Sequence, residues 1–195
     1  RRYNQVWTSG RVSETLPVTW QNDLRSFGSL LEECVRAITQ EAASLKGLVD
    51  EFSRFARLPA VRPEEADLHV ILENTLRLYD GRIQGIQVIK AFDDGIPRLR
   101  LDPEQMGRVF INLFDNALEA MADSPHAKVL RVRTANRPPQ RSVRVEISDT
   151  GRGFPREYQD SLFLPYFSTR KGGTGLGLAI VRQIITDHHG YVHAE

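Results

Sequence analysis

Between residues 21 and 58 the apolar positions recur in alternating steps of three and four: Leu24, Phe27, Leu31, Cys34, Ile38, Leu45, Leu48, Phe52 and Phe55, with Glu41 in the one missing place. This heptad seam predicts one long helix whose stripe is buried against other helices. No neighbouring segment supplies enough helix to cover it, so self-association into a bundle is the economical expectation. Leu58-Pro59 should end the helix, because proline pushes the preceding residue out of the helical region. Residues 1–20, with Gly10, Pro17 and several hydroxyl side chains, carry no such pattern and read as a frayed helix end followed by a loop. Residues 59–67, with Pro59, Pro63, Glu64 and Glu65, read as a stiff, charged linker.

From residue 68 to 195 the period changes repeatedly. Leu68 to Tyr79 reads as a helix with Leu68, Ile71, Leu72, Thr75 and Leu76 on one face. Ile86–Phe92 and Arg98–Leu101 read as short strands. Asp102-Pro103 supplies a cap and a first-turn proline for a helix whose buried stripe is Met106, Val109, Phe110, Leu113, Ala117 and Met121. Val129–Thr134 and Val143–Ser148 alternate as strands around a Pro138-Pro139 turn. A last helix is expected from about Gly175 to His188, and a further strand from Tyr191 to His193. The sum is an α+β fold, a two-layer α/β sandwich with helices on one sheet face, preceded by a long helix.

Composition narrows the partners. Lys plus Arg number 26 against 25 Asp plus Glu, so the formal charge of +1 gives no reason to propose nucleic acid or an anionic membrane. The single Cys34 excludes an internal disulfide and a cysteine metal cluster, which suits a reducing, cytoplasmic compartment. No apolar run approaches the roughly 20 residues that span a bilayer, and Arg1-Arg2-Tyr3 does not open a signal peptide. A soluble chain is expected, compatible with its being a piece of an anchored protein.

The chemistry is concentrated in four ordered boxes within about 65 residues. In Asn112-Leu-Phe-Asp-Asn116-Ala, the residues Asn112 and Asn116, with Glu119, fall on one helix face apart from the buried stripe. Magnesium takes hard oxygen ligands and shares its shell with water and phosphates, and the Asn116 carboxamide suits that without adding charge. Asp149 follows a strand and precedes Gly151 and Gly153; a carboxylate there can accept from an exocyclic amine such as that of adenine. Gly173, Thr174, Gly175, Leu176 and Gly177 lead into an apolar helix, where backbone N–H groups and the helix dipole favour phosphate. Arg170 and Lys171 stand just upstream, able to reach the same phosphates. The connection between the glycine boxes, with Phe163, Pro165, Tyr166 and Phe167, suits a lid over a nucleotide. Singly, each box has a bland reading as surface asparagines, a hairpin turn or a flexible loop. Together they describe a nucleotide site. It is neither a Walker A loop nor a Rossmann fingerprint.

These boxes resemble the catalytic ATP-binding domain of sensor histidine kinases, which share a superfamily with type II topoisomerases, mismatch-repair ATPases and heat-shock chaperones. The resemblance covers about residues 68–195 and implies the Bergerat ATP-binding fold. Residues 21–58 resemble the second helix of the dimerisation and phosphotransfer hairpin, and the ending Val49-Asp-Glu-Phe-Ser-Arg-Phe-Ala-Arg-Leu-Pro59 is most similar to nitrogen-regulation, NtrY-like kinases. By resemblance, Asn116 binds magnesium, and Asn112 lies near the phosphates. Asp149 binds adenine, Gly151 and Gly153 shape the pocket, Gly173 to Gly177 cradle the phosphates, and Phe163 and Phe167 anchor the lid. The implied reaction moves the γ-phosphoryl group of ATP to a histidine, for relay to a response regulator receiver domain. The implied assembly is a homodimer through residues 21–58. The implied setting is the cytoplasmic part of an inner-membrane sensor, with the membrane reached only through regions before Arg1.

The family's His-Glu and Asn-Pro acceptor box is missing from the sequence. Related kinases place it just before a segment like Arg1-Arg2-Tyr3, so the chain is expected to start directly downstream of it. His69, His126, His188, His189 and His193 each read as surface or loop histidines. At the other end, Tyr191-Val-His-Ala-Glu195 stands where the family would finish one strand and add another. Hydrolases of the superfamily carry a glutamate base at the position of Asn112. An amide cannot take that proton, which favours transfer over hydrolysis. A non-catalytic dimerisation module is the third alternative, disfavoured by intact glycine boxes.

Overall fold

The structure, a computed structural model, describes residues 18–56, 59–169 and 173–195. It divides into two compact units, meeting in sequence at Asp50 and Glu51. The first contains most of α1 (Val18–Ala56), a helix of 39 residues. Its length is that expected of the heptad pattern, and it starts earlier: Val18, Thr19 and Trp20 are helical, not loop. Residues 1–17 and the helix end at Leu58 lie outside the described residues, as do the side chains of Leu24, Leu48, Phe52 and Phe55. Of the seam positions that are described, Phe27 is 59% exposed, Ile38 69% and Leu45 56%. Large apolar side chains so exposed mark a candidate interaction face.

The second unit builds β1 (Glu64–Ala66), α2 (Leu68–Arg77), β2 (Ile86–Ala91), β3 (Leu99–Leu101), α3 (Pro103–Met121), β4 (Lys128–Arg137), β5 (Ser142–Asp149) and α4 (Gly177–Asp187). A three-stranded sheet runs in the order β2-β4-β5, with β2 parallel and β5 antiparallel to β4. Alternation along β4 buries Leu130, Val132 and Thr134 while Arg131 and Arg133 point to solvent, so one sheet face carries the helices. The core joins Leu72 and Leu76 of α2, Val109, Phe110, Phe114 and Met121 of α3, and Val181 and Ile184 of α4 to that face. This is the expected two-layer α/β sandwich.

Several expectations are corrected. The stretch 59–67 is not simply a linker, because β1 pairs antiparallel with β3 in a separate two-stranded sheet. Only Ala66 of its three residues is buried, so no periodicity announces it. On α3 the wide aromatic of the stripe is Phe114, almost fully buried, while Leu113 is only half-buried. The Pro138-Pro139 turn is a short 3-10 turn closed by Arg141 in the left-handed region. No strand forms at Tyr191–His193. Gln159 Nε2 donates to Ala194 O at 2.7 Å, and no neighbouring strand among the described residues pairs with the segment.

Two junctions hold the helices. Tyr79, in the turn after α2, donates its hydroxyl to Ile111 O at 3.1 Å under the Arg82 guanidinium. Burial, reinforced by Asp115, pushes its phenol up to about 12, so it stays protonated and donating. At the head of α3, Asp102 Oδ1 accepts from Gln105 N at 3.1 Å and Oδ2 from Arg62 N at 3.0 Å. Proline at the first helical position needs no partner for a missing N–H, and the cap serves the remaining donors. Burial alone would raise the Asp102 pKa, but the N–H groups of Arg62, Gln105 and Glu104 outweigh it and hold the carboxyl below its ordinary value.

A depressed folded pKa contributes stability above the unfolded carboxylate range, and this is lost as pH falls through the folded value. Asp102→Asn turns an amide N–H toward the Arg62 N–H, so it should cost about 1–2 kcal/mol near neutral pH. The gap to the parent chain should close in acid, below about pH 4. Urea unfolding at both pH values checks this, and an equal gap at both would refute it.

Candidate functional site

Helix α3 is the floor of the candidate site. Asn112 and Asn116 lie one turn apart, both half-buried, on a flank of the helix away from Phe110 and Phe114. Asn112 Nδ2 donates to Arg108 O at 2.8 Å, which turns its Oδ1 outward. That oxygen meets the first residue of α4: a Cβ built on Gly177 would stand 2.8 Å from Asn112 Oδ1. Thus the first and last boxes touch.

The Asp149 box reaches the same helix nearer its C-terminal end. Asp149 closes β5, exposed, with its Oδ1 accepting from Gly151 N at 2.8 Å. Gly151 lies so close to Ala120 that an added Cβ would be 2.6 Å from the Ala120 carbonyl carbon. The next residue donates Arg152 N–H to Ala120 O at 3.2 Å. Gly153 has φ of +62° and open space around it, so its requirement is conformational only. Thr150, between the aspartate and the glycine, accepts from Val129 N at 2.9 Å and donates to Ala127 O at 2.7 Å. Its hydroxyl ties the loop to the start of β4. The sequence pattern assigns Thr150 no role, and the one signal for it is a hydroxyl inside a turn.

Between the glycine boxes the chain makes a short 3-10 turn at Arg156–Tyr158 and further turns. Phe163 is buried, and Phe167 is half-buried with its ring 5.4 Å from that of Tyr158. Tyr158 is a docking partner the motifs did not single out. The segment is clasped to the second glycine box, because Tyr166 N–H donates to Gly175 O at 3.0 Å. Gly175 has φ of +69°, and a Cβ there would stand 2.6 Å from the Tyr166 carbonyl carbon. Leu176 is fully buried beneath the box and Thr174 Oγ1 accepts from Leu176 N at 3.4 Å. Gly173 is exposed. Arg170 and Lys171 lie outside the described residues.

Volume and chemistry do not coincide. A groove of about 660 Å³ lies elsewhere along α3, walled by Arg82, Gln84, Asp115, Leu118, Glu119 and Lys128. It shares only Asp115 with the boxes, and its ion pair of Arg82 and Asp115 (2.9 Å) is largely solvated. Among the described residues no cluster of three His, Cys, Asp or Glu side chains is placed to hold a metal. None of their helices is long and apolar enough to cross a membrane.

Residues 101–195, which include all four boxes, match the family of histidine kinase-, DNA gyrase B- and HSP90-like ATPases. The sensory histidine kinase/phosphatase NtrB of Escherichia coli O157:H7 is 34% identical over 169 residues, covering 83% of this chain and 48% of that protein. The chain carries an ATP-binding domain of the histidine-kinase type. It spans about half the length of the curated relatives it matches. Histidine kinase ThkA, solved in complex with the response regulator protein TrrA, aligns with a TM-score of 0.66 at 25% identity over 85% of this chain and 47% of that one. Full-length ShkA, solved in complex with AMPPNP, shares the fold at a TM-score of 0.66 and 24% identity, over 83% of this chain and 35% of that one. The relative from Escherichia coli is an NtrB, and the likeness of the end of α1 to NtrY-like kinases rests on the sequence pattern alone. The family match begins at Leu101, so β1, α2 and β2 stand upstream of it.

The glycine contacts separate steric from conformational need. Gly151→Ala and Gly175→Ala force a methyl into backbone and should each cost about 1–3 kcal/mol, several degrees of melting temperature for a domain this size. Gly153→Ala meets no neighbour and should cost only about 1 kcal/mol of left-handed strain. Thermal melts of the three variants rank them, and a Gly153 variant as damaged as the others would show a contact the geometry lacks.

Proposed function

We propose that this chain is the ATP-binding core of a sensor protein-histidine kinase, which transfers the γ-phosphoryl group of ATP to a histidine outside these 195 residues. The observation that carries the reading is the convergence on α3: Gly177 abuts Asn112 and Gly151 abuts Ala120. These contacts are eight residues apart, about 12 Å along the helix axis. One end offers a phosphate cradle beside the asparagines, and the other offers a carboxylate for a base. In this reading Asp149 accepts from the adenine amine, the N–H groups from Gly173 to Gly177 bind phosphate, and the segment holding Phe163 and Phe167 covers the nucleotide.

Magnesium fits the donor set. With no acidic cluster among the described residues to hold a metal alone, the carboxamide of Asn116 would be its protein ligand, the rest of the shell coming from phosphates and water. Bound there, the ion would neutralise charge on the phosphates. Asn112 serves differently: its amide N–H is held by Arg108 O and its Oδ1 lies against the start of α4, so it helps to position the cradle. An amide cannot act as the base that hydrolysis requires, and that weighs against the hydrolase reading. An imidazole acceptor needs no such base once it is held in line. A response regulator receiver domain is the proposed phosphoryl acceptor downstream, by analogy with ThkA and the response regulator protein TrrA.

Binding of ATP and ADP should be magnesium-dependent. Asp149→Asn should weaken it roughly ten- to hundredfold through loss of a charge-assisted hydrogen bond. Calorimetry giving the parent affinity for that variant would remove the adenine assignment. With γ-labelled ATP, label should stay off these 195 residues and appear on a chain carrying an acceptor histidine. Rapid steady-state phosphate release instead would favour the hydrolase.

The exposed seam of α1 is proposed as the homodimer surface. Ile38→Asp places a charge in it, and burying an unpaired charge is costly enough to shift a dimer strongly toward monomer. Light scattering across a concentration series checks this. A parent chain that stays monomeric throughout would count against the seam.

A further inference from the structure

We infer that His188 is a positioning residue, whose imidazole pins the end of α4 to the head of α3 and so sets where the glycine box stands against Asn112. The inference deepens the nucleotide reading above and rests on it. In sequence His188 looks like a loop histidine, but the structure makes both of its ring nitrogens structural. Nδ1–H donates to Ile184 O at 2.8 Å, and Nε2 accepts from Asp102 N–H at 2.9 Å. These roles follow from the partners, because a carbonyl only accepts and a backbone N–H only donates. The ring is therefore held as the neutral Nδ1–H tautomer, bridging two elements 86 residues apart.

The geometry shows what the bridge fixes. Helices α3 and α4 meet at Asn112 and Gly177, and again at Asp102 and His188. Ten residues separate the first member of each contact and eleven the second, about 15 and 16.5 Å of helix. The two helices thus lie antiparallel with a contact near each end of α4. The glycine contact is close but has no hydrogen bond of its own to resist sliding. The histidine contact is directional and supplies that resistance.

The end of α4 is itself locked, which makes a pin at this place effective. His189 N–H donates to Thr186 O at 2.9 Å and Gly190 N–H to Ile185 O at 2.8 Å, the paired bonds of a Schellman ending. His189 accepts a φ of +59° to make them, although glycine would adopt it at lower cost. At the other partner, Asp102 is itself held by Arg62 N and Gln105 N through its carboxylate. Both ends of the bridge are stiff, so its length is transmitted to the opposite end of α4. Displacements of about 1 Å at a phosphate site are enough to disturb positioning.

The test uses the nucleotide-free chain and its ADP complex. His188→Phe keeps a ring without either hydrogen bond, while His188→Gln offers an amide oxygen to the Asp102 N–H. In His188→Phe, hydrogen exchange at the Asp102 amide should quicken by about tenfold or more, and ADP affinity should fall by roughly fivefold or more. His188→Gln should stay near the parent in both. Parent-like exchange in the Phe variant overturns the pin, and faster exchange with unchanged ADP affinity overturns its role in positioning the cradle. A Gln variant no better than the Phe variant also overturns it, since shape alone would then explain the loss. If Phe does not fold, the Gln variant decides on the same two measurements. A parent chain that fails to bind ADP refutes the nucleotide reading, and the exchange rates still decide the pin.

Discussion

Helix α3 is met by backbone at two places closer than any side chain would permit, and the layout of the site depends on those approaches. Gly151 lies against Ala120, and Gly177 against Asn112. The helix can receive them because its opposite stripe, from Met106 through Phe114 to Met121, is buried against the sheet and the other helices. A helix loosely held on that side would give way before neighbouring backbone came so near. Packing on one face therefore sets the distances on the other. Tyr79 adds to this by bonding Ile111 O halfway along the helix, from a turn outside the four boxes. Magnitude favours the packing term: a buried Phe or Met contributes about 1.5–3 kcal/mol by area, against about 1 for one such hydrogen bond.

Asp102 organises the head of the same helix. Its carboxylate caps α3 and holds Arg62, its backbone N–H holds His188, and its carbonyl accepts the first helical bond from Met106 N at 2.9 Å. Gln105, one turn on, donates Nε2–H to Pro59 O at 3.0 Å. The segment that follows α1 in sequence is consequently bonded to the residues that start the asparagine helix. Its next stretch enters β1 and pairs with β3, which leads directly into Asp102.

What could be read from the sequence was whatever repeats or sits at a fixed local spacing. The heptads of α1, the alternation of β4 and the Asp102-Pro103 helix start all have a period or a cap that residue types reveal. The four boxes were legible because glycine, asparagine and aspartate are seldom interchangeable where backbone must approach or bend. Four features were not legible, each for a physical reason. Strand β1 exposes two of its three residues, so it has no pattern. Tyr191–His193 alternates like a strand, but alternation does not supply a neighbour to pair with. His188 finds its partner 86 residues away, and nothing local distinguishes it from His189. Ala120 was likewise invisible as the partner of Gly151, since an alanine on a helix announces nothing.

The two units bury their apolar residues by different rules, and the difference bears on how the protein works. In the second unit Leu72, Phe114, Val132 and Val181 are all sealed inside one core. In α1 the large side chains Phe27, Val35, Ile38 and Val49 remain mostly exposed. Burying a side chain of this kind is worth about 1.5–3 kcal/mol, so several in a row make an open seam costly. A lone helix with such a stripe is stable chiefly through what covers it. On the proposed reading, the core of the second unit packs on itself, while α1 gains its packing from a second chain. Chemistry and assembly are then separable: a charge in the α1 seam should disturb association and leave the contacts of Gly151 with Ala120 and of Gly177 with Asn112 intact, because these are made inside the second unit.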